Sequence, residues 1–428
     1  MNNWRDTSLG DEILILTDYT ANGSFESLKQ NVTYFNETNY AALVRTTDLG
    51  RVIFQPERFT DKRGFDFLKK VQLIGGEVVV ANVGSLGKTY RVPKYHLPMV
   101  LAPNMYLLKF KDRIDEDFIY QYLISSDFKD ALLKVIGSTT LQAVNKNNIR
   151  SIKLYIPDKP EQIRIVEILS TADEAIEQTE NLIAKYQRIK TGLMQDLLTR
   201  GIDIHGNIRS KATHKFVFKN GIEIPEEWEV KQIIQTTYLK ARIGWQGLKA
   251  SEFIKEGPYL VTGTDFNNGE IDWNTCYHVT EERFKEAKYI HLRNDDLVIT
   301  KDGTIGKTAI IKNCPEKAVL NSGVFVMRCT DGSYLNVFMY YILNSIYFFD
   351  HLFQTQGGST INHLYQREFE KFYFPCPKKD EQQKIISLLN QLNENIKQET
   401  NQLTKLNSIK TGLMQDLLSG RVRVKVEE

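Results

Sequence analysis

Two long stretches of the chain place mostly apolar residues at alternating steps of three and four. The first series is Leu169, Ala172, Ile176, Thr179, Ile183, Tyr186, Leu193 and Leu197, and the second is Leu389, Leu392, Ile396, Glu399, Leu403, Leu406, Leu413 and Leu417. Each series has one gap, which is filled by Lys190 or Lys410. This spacing is typical of a coiled-coil seam, so it predicts two helices that bury their seams on each other.

The two helical stretches also repeat each other in sequence. The decapeptide IKTGLMQDLL occupies residues 189–198 and again residues 409–418, at an offset of 220. A glycine follows each copy, at Gly201 and Gly420, as expected where a helix stops. A helix over residues 161–198 would be about 57 Å long, at about 1.5 Å per residue. The repeat therefore predicts two equivalent helical rods.

The segments that precede the two rods repeat each other more distantly. Their shared features are the Thr-Asp turns LVRTTD (43–48) and LVTGTD (260–265), the glycine turns GSLGKT (84–89) and GTIGKT (303–308), the aromatic helices around Phe118 and Phe338, and the GST turns at 137–140 and 357–360. Short β-like runs dominate the first two-thirds of each segment, and helix follows. This order predicts an α+β fold with mostly antiparallel or mixed sheets.

The predicted organisation alternates globular domains with long helices that pack as an antiparallel coiled coil. The predicted segments are a first domain over 1–158, a helix over 159–200, a linker over 201–219, a second domain over 220–378, a helix over 379–420 and a tail over 421–428. The helices repeat closely, whereas the domains share only a framework. A framework used twice with two different surfaces suits the recognition of two different half-targets.

Composition and motif content narrow the possible functions. The net charge of +2 over 428 residues is too small for a strongly basic nucleic-acid binder, so any such contact would be a local patch. The four cysteines form no CxxC pair and the seven histidines are scattered, so no metal site is predicted. The sequence contains no catalytic motif, which predicts a non-catalytic protein. It also contains no apolar run of about 20 residues and no signal sequence, which predicts a cytoplasmic protein.

The glycine turns contain some residues of a phosphate-binding loop, but they do not match its full motif. A Walker A loop requires a glycine at the positions of Asn82 and Lys301, and the residues after each turn favour strand over helix. The pattern therefore favours a β-hairpin turn. A glycine turn that carries Lys and Thr can also face a DNA backbone, and the sequence leaves this second interpretation open.

The two seam lysines also allow two interpretations. Their side chains can simply reach the surface along the helix. Alternatively, the identical decapeptides form equivalent docking patches for two copies of a partner protein. The candidate docking residues are Lys190, Gln195, Asp196, Lys410, Gln415 and Asp416.

Over its full length the chain resembles the specificity subunit of type I restriction-modification systems. The helical phrases EQIRIVEIL…IKTGLMQDLLTRGI and EQQKIISLL…IKTGLMQDLLSGRV are similar to the conserved regions of that family. The paired LVRTTD/LVTGTD and GxxGKT elements are similar to those of its target-recognition domains. The resemblance covers the order target-recognition domain, long helix, target-recognition domain, long helix.

This resemblance implies a subunit that performs no chemistry itself. Its two target-recognition domains would each read one half of a bipartite, asymmetric site in double-stranded DNA, with the helices as a ruler between them. Two modification subunits would dock on the helices and methylate adenine with S-adenosylmethionine, and two restriction subunits would use ATP and Mg. The chain itself would bind no cofactor. The circular organisation of the family would bring residues 421–428 near Trp4.

The candidate DNA-binding residues are those in the matched turns whose types suit phosphates and base edges. They are Arg45, Thr46, Thr47, Asn82, Ser85, Lys88, Thr262, Thr264, Lys301, Thr304 and Lys307. Two other functions stay open: a repeat adaptor that binds only proteins through its coiled coil, and the recognition half of a restriction-methylation enzyme that is fused or paired differently.

Overall fold

The chain folds into two compact units. The computed structural model describes residues 4–51, 53–84, 86–136, 143–243, 247–355 and 363–426. The first unit contains residues 1–180 and 401–428, and the second contains residues 181–400. The first unit is therefore built from two separate pieces of the chain, whereas the second is built from one continuous piece.

Strands and short helices alternate along the first unit. Its strands are β1 (Arg5–Ser8), β2 (Ile13–Asp18), β3 (Ala41–Val44), β4 (Phe59–Thr60), β5 (Gln72–Leu73), β6 (Val78–Ala81), β7 (Thr89–Arg91), β8 (Met99–Leu101), β9 (Met105–Phe110) and β10 (Lys153–Ile156). Its α-helices are α1 (Leu9–Glu12), α2 (Phe25–Asn31), α3 (Thr46–Leu49), α4 (Lys62–Phe67), α5 (Glu116–Ile124), α6 (Ser126–Ile136), α7 (Lys146–Ser151) and the first half of α8 (Lys159–Thr199).

Two four-stranded sheets form the core of the first unit. One has the antiparallel order β2-β9-β6-β7, and the other has the order β4-β3-β8-β5, in which β3 and β8 are parallel. Side chains alternate across β6: Val78 and Val80 belong to the same hydrophobic cluster as Phe118 of α5, whereas Val79 belongs to the cluster that contains Leu43 of the second sheet. Because both faces of β6 are covered, its sequence is continuously apolar.

The second unit has a similar set of elements. Its strands are β11 (Phe216–Lys219), β12 (Ile222–Pro225), β13 (Glu229–Gln232), β14 (Thr237–Ala241), β15 (Ile254–Val261), β16 (Phe266–Asn267), β17 (Glu270–Ile271), β18 (Tyr277–His278), β19 (Leu297–Thr300), β20 (Thr308–Ile310), β21 (Ala318–Leu320), β22 (Val324–Cys329) and β23 (Tyr373–Cys376). Its α-helices are α9 (Ile233–Thr236), α10 (Glu281–Lys285), α11 (Asn336–Leu343), α12 (Ile346–Thr355), α13 (Gln366–Phe369) and the first part of α14 (Lys379–Leu418).

The sheets of the second unit repeat those of the first. The order β14-β22-β19-β20 matches β2-β9-β6-β7, and β15 is parallel to β21 as β3 is to β8. The side chains of β19 alternate between two faces as those of β6 do, since Leu297 and Ile299 lie in one hydrophobic cluster of the second unit and Val298 lies in the other. The prediction of an α+β fold with two related domains and mixed sheets is confirmed.

Within each unit, seam residues of the two long helices are buried in a shared hydrophobic cluster. In the first unit, Leu169 of α8 and Leu417 of α14 belong to one hydrophobic cluster. In the second unit, Leu197 of α8 and Leu389 of α14 also share a cluster. These pairs combine an early residue of one helix with a late residue of the other, so the helices run antiparallel. The predicted antiparallel packing of two long helices is therefore confirmed.

A cluster around Glu161, which we call the first clasp, joins both pieces of the first unit. The Glu161 carboxylate accepts hydrogen bonds from the Trp4 indole (3.1 Å), from Nε and Nη2 of Arg423 (2.8 and 2.7 Å) and from the Val424 amide (3.2 Å). The Arg423 guanidinium also lies 5.6 Å from the Trp4 ring centroid. The expected approach of the tail to Trp4 is therefore confirmed for the described tail residues.

A second clasp around Glu381 repeats this arrangement in the second unit. The Glu381 carboxylate accepts hydrogen bonds from the Trp228 indole (3.1 Å), from Nη2 of Arg209 (3.2 Å) and from the Ile202 amide (2.8 Å). Gly201 has a φ of +64°, and a Cβ there would lie 2.3 Å from the Trp228 ring, so the clasp requires glycine at this helix end. Arg209, which is buried, lies in the segment predicted to be a polar linker.

Candidate nucleic-acid interface

The two glycine turns close equivalent β-hairpins. In the first unit, β6 and β7 are antiparallel and the Gly87 amide donates to Ala81 O at 2.9 Å. In the second unit, β19 and β20 are antiparallel and the Gly306 amide donates to Thr300 O at 3.0 Å. The hairpin prediction is confirmed, and the strand after each turn is incompatible with a Walker A loop. Ser85 lies outside the described residues.

Each hairpin presents an exposed lysine next to its second strand. Lys88 and Lys307 are both exposed, and the Lys88 ammonium lies 5.3 Å from the Tyr90 ring centroid. Within the described ranges, neither lysine forms an ion pair. Thr304, in the second turn, is exposed as well. These turns therefore offer uncompensated positive charge to an anionic partner.

The Thr-Asp turns are each held by a buried aspartate. Asp48 accepts a hydrogen bond from the Arg45 amide at 2.9 Å, and Asp265 accepts one from the Thr262 amide at 2.7 Å. Both aspartates are almost fully buried, at 0% and 1% exposure. The Thr-Asp pattern common to both units therefore has a structural cause, which is the closure of the turn after β3 or β15.

Several candidate residues in these turns already have partners inside the protein. The Arg45 guanidinium pairs with Asp48 (2.7 Å) and Glu57 (3.0 Å), and hydrogen bonding to Asp48 raises the pKa of Arg45. The Thr262 side chain is buried, and its hydroxyl lies 2.7 Å from that of Thr264. Two carboxylates thus offset the charge of Arg45, which weakens its attraction for phosphate.

The less enclosed candidates in the two turns are threonines. Thr46 is half-buried and Thr47 is exposed in the first turn of α3, and Thr264 is exposed at the equivalent turn of the second unit. Hydroxyl groups at such positions can donate to phosphate or base-edge oxygens. The exposed faces of both Thr-Asp turns are therefore polar but uncharged apart from Arg45.

A third loop, absent from the sequence-based prediction, brings the other two together. In the first unit, the Ala102 amide donates to Val44 O at 2.9 Å, and the Asn82 amide donates to Asn104 O at 3.1 Å. The loop at residues 102–104 therefore bridges the Thr-Asp turn and the glycine turn. We call these three segments, at residues 45–49, 82–88 and 102–104, the first loop edge.

The second loop edge is constructed in the same way. The Asn321 amide donates to Val261 O at 2.9 Å, and the Lys301 amide donates to Gly323 O at 2.8 Å. Its segments are residues 262–265, 301–307 and 321–323. A sequence signal was available, since an asparagine or glycine turn separates two apolar runs at an offset of 219 in both units. The candidate residues of each unit are thus gathered at one end of its sheets.

The two loop edges differ in chemistry at equivalent positions. Asn82 of the first edge has a buried Oδ1 without a hydrogen-bond partner among the described residues, whereas Lys301 of the second edge lies over the Phe325 ring at 5.4 Å. Val83 is exposed next to Asn82, whereas Asp302, which pairs with the His363 ring, is exposed next to Lys301. The exposed side chain is therefore apolar at the first edge (Val83) and charged at the second (Asp302). The GST turns, at 137–140 and 357–360, lie outside the described residues.

The seam lysines have different surroundings in the two units. Lys410 forms an ion pair with Asp173, whose other oxygen accepts a hydrogen bond from the Gln121 amide at 3.0 Å. Lys190 is half-buried, and burial lowers its pKa; across the described part of the chain it has no ion-pair partner. Asn393 occupies the position in α14 that Asp173 occupies in α8. The charge at one lysine is therefore compensated, and at the other it is not.

The remaining candidate docking residues lie on the outer faces of the helices. Gln195, Gln415 and Asp416 are exposed, and Asp196 pairs with Arg200 one helical turn later. In the described ranges we find no group of His, Cys, Asp and Glu side chains that could hold a metal ion. The same ranges contain no helix with the length and hydropathy of a membrane span.

Comparison with known proteins identifies the family. The family model described as "Type I restriction modification DNA specificity domain" matches residues 4–186 and again residues 225–408, which together cover most of the chain. The two matches correspond to the two repeats that the structure contains. The repeated architecture is therefore a property shared with that family.

Individual relatives agree with this match. The chain is 24% identical to the putative type I restriction enzyme MjaX specificity subunit of Methanocaldococcus jannaschii over 84% of this chain and 81% of that one. It is 22% identical to the type I restriction enzyme EcoBI specificity subunit of Escherichia coli over 73% of this chain and 67% of that one. Both relatives are specificity subunits.

Solved structures show the same fold. The S subunit of a type I restriction-modification system from M. genitalium matches with a TM-score of 0.56 and 15% identity over 97% of this chain and 96% of that one. A chain from a structural study of complex assembly and conformational transition in the type I R-M system matches with a TM-score of 0.59 and 16% identity over 99% of both chains. The chain therefore belongs to the type I restriction-modification DNA specificity family and is a non-catalytic specificity subunit with two DNA specificity domains.

Proposed function

We propose that this chain directs its complex to a bipartite, asymmetric site in double-stranded DNA, and that each loop edge reads one half of that site in the major groove. The proposal is carried by one observation: the two units present the same three loops on the same sheets but with different side chains. A shared framework places both edges against DNA in the same manner, and the different side chains select different bases.

The chemistry of the two edges supports different half-sites. The exposed Val83 of the first edge offers an apolar side chain, which suits the thymine methyl group. Lys301 offers a donor, which suits guanine, and Asp302, which also pairs with His363, offers an acceptor, which suits cytosine. Phosphate contacts by Lys88 and Lys307 would position the two edges without selecting sequence.

We further infer that two modification subunits dock on the helices at the identical decapeptides, and that two restriction subunits join the complex. The exposed Gln195 and Gln415 are at equivalent positions and support two equivalent contacts. The complex uses S-adenosylmethionine, ATP and Mg, which are held by those partners, in the cytoplasm.

Methylome sequencing of a strain that expresses the chain with and without its modification subunit tests the proposed function. We expect a bipartite, asymmetric motif with methylated adenine that appears only when both chains are present. Absence of a motif, despite soluble and assembled protein, would contradict DNA reading and favour an adaptor that binds only proteins.

A single substitution tests whether each loop edge reads only one half-site. Lys301→Asn installs at the second edge the residue that the first edge carries at the equivalent position. We expect this variant to change one half of the methylated motif and to leave the other half intact. Simultaneous loss of both halves would show that the two edges do not read independently.

The positioning role of the turn lysines can be measured through the salt dependence of DNA affinity. Lys88→Ala or Lys307→Ala removes one phosphate contact, so the slope of log K against log salt concentration falls by about 0.9 in each variant. Lys109→Ala is the control, because Lys109 is exposed at the opposite end of β9 from the loop edge. An unchanged slope in both lysine variants would remove these turns from the interface.

A further inference from the structure

A fourth segment of the chain lies against each loop edge. In the second unit the Leu364 amide donates to Lys301 O at 2.8 Å, and in the first unit the Val144 amide donates to Asn82 O at 3.0 Å. The donors are equivalent at an offset of 220 and the acceptors at an offset of 219. Residues 363–365 therefore lie alongside the glycine turn of the second loop edge.

In the second unit, side chains also join this segment to the turn. Asp302 and His363 form an isolated antiparallel bridge, and the His363 ring lies with Nδ1 against Oδ1 of Asp302. The ring nitrogen is the donor, because an ionised carboxylate can only accept. The ring centroids of His363 and Tyr365 lie 4.5 Å apart. A hydrogen bond and a ring contact therefore fix the orientation of the imidazole.

The framework of the loop edge does not require this pair of side chains. In the first unit, Val83 and Ala143 stand at the positions of Asp302 and His363. Neither of those side chains can form a hydrogen bond, yet the backbone hydrogen bond of Val144 is present. The Asp302–His363 pair therefore belongs to the surface that distinguishes the second unit and not to the shared framework.

The Asp302 carboxylate is accessible to a ligand. The side chain is 44% exposed, and its Oδ2 has no hydrogen-bond partner among the described residues. A Cβ on Gly323 would lie 3.7 Å from Oδ2, so the carboxylate lies where the glycine turn, the loop at 321–323 and the segment at 363–365 meet. Phosphate repels a negative charge, so a carboxylate at an edge that faces DNA favours binding only where the DNA offers it a hydrogen-bond donor.

We propose that Asp302, positioned by His363, fixes the orientation of one base pair in the second half-site, an inference that rests on the proposed function. In the major groove each base pair carries an amino group on one base, at N4 of cytosine or N6 of adenine, and a carbonyl oxygen on the other. Asp302 accepts from the amino group, and it repels the carbonyl oxygen that takes this place when the pair is reversed. His363 holds the carboxylate in one orientation before DNA binds, so less side-chain freedom is lost on binding.

Reversal of single base pairs in the duplex tests this assignment. The complex of the chain with its modification subunit is titrated with duplexes in which each pair of the half-site that Lys301→Asn alters is reversed in turn. At one pair we expect reversal to weaken wild-type binding about tenfold. Asp302→Asn should reduce this ratio to about twofold, because an amide both donates and accepts. Asp295→Asn is the matched control, since Asp295 is exposed at the opposite end of β19, and it should leave every ratio unchanged.

Variants of His363 separate positioning from a structural role. His363→Phe keeps a ring beside Tyr365 but cannot donate, so the ratio at the same base pair should fall to about threefold while a scrambled duplex binds as before. His363→Asn keeps a donor near the position of Nδ1 and should retain the ratio of about tenfold. His363→Ala replaces the phenylalanine variant if that variant does not assemble. Equal weakening of every duplex with an unchanged ratio would assign His363 a structural role, and loss of the ratio in the asparagine variant would overturn the hydrogen bond as its cause.

The outcomes distinguish this inference from the proposed function. A wild-type complex that methylates a bipartite motif, together with an Asp302→Asn variant that leaves every ratio unchanged, would overturn the role of Asp302 and His363 alone. Relaxation only in the half-site that Lys301→Asn leaves intact would overturn it as well. Absence of any wild-type motif would overturn the proposed function itself.

Discussion

Removal of the Glu161 carboxylate tests whether the first clasp holds the two pieces of the first unit together. Glu161→Ala deprives the Trp4 indole, the Val424 amide and the Arg423 guanidinium of their shared acceptor. Each of these losses costs about 1 kcal/mol, with the ion pair discounted because the Arg423 side chain is 38% exposed. We therefore expect the free energy of unfolding of the first unit to fall by about 3 kcal/mol.

Scanning calorimetry of the purified chain measures this loss. The first unit contains 208 residues, 180 in one piece and 28 in the other, so about 3 kcal/mol corresponds to a decrease of roughly 6–12 °C in its unfolding midpoint. Glu177→Ala is the control, because Glu177 is exposed on the same helix. A midpoint for Glu161→Ala within about 1 °C of the control would refute the clasp as a stabilising contact.

The pH dependence of stability gives an independent check on the same carboxylate. Burial opposes ionisation of Glu161, but hydrogen bonds from Arg423, Val424 and Trp4 outweigh it and hold its pKa below the ordinary value of 4.5. Because the folded-state pKa is depressed, the stabilisation is complete above pH 4.5 and is lost as the pH falls through the folded-state pKa. Glu161→Gln should therefore flatten the stability profile below pH 4.5, and an unchanged profile would contradict this origin.

Two further comparisons use pairs of variants measured by chemical denaturation. Gly87→Ala should lower the free energy of unfolding by about 3 kcal/mol, because φ of Gly87 is +70° and a Cβ there would lie 2.3 Å from the Leu132 side chain. Gly84→Ala should lower it by only about 1 kcal/mol, because a Cβ at Gly84 would face open space. Equal losses in the two variants would refute the close approach of Gly87 to Leu132. Lys410→Met breaks an ion pair with Asp173 and should destabilise the chain by about 0.5–1 kcal/mol. Lys190→Met removes a half-buried charge that has no ion-pair partner in the described residues, and it should stabilise the chain by about 0.5–1 kcal/mol. Changes of the same sign would contradict the different surroundings of the two lysines.

The helices and hairpin turns could be predicted from the sequence because their causes are local. A step of three and four, sustained over residues 169–197, identifies the buried seam without knowledge of any distant contact. The glycine turns are equally local, since Gly84 and Gly87 adopt positive φ within one hairpin. In such elements, neighbouring residues in sequence decide the structure.

The pairing of strands and the third loop could not be predicted in this way. β3 pairs in parallel with β8 across an intervening segment of more than fifty residues, and no periodic pattern records that partnership. The loop at 102–104 acquires its importance only from this pairing. Arg45 shows the same limit, because its type suits phosphate but Asp48 and the more distant Glu57 compensate its charge in the fold.

The discontinuous construction of the first unit has a consequence for biosynthesis. The second unit is one continuous segment and is complete in sequence once residue 400 has been translated. The first unit still lacks Leu417 and Leu418 of its hydrophobic cluster and Arg423 of its clasp at that moment. We therefore expect the second unit to mature first on the ribosome, which reverses the usual order in which the N-terminal domain folds first. Nascent chains that stop after residue 400 leave the amino-terminal half without its seam partner and make it a substrate for chaperones and proteases.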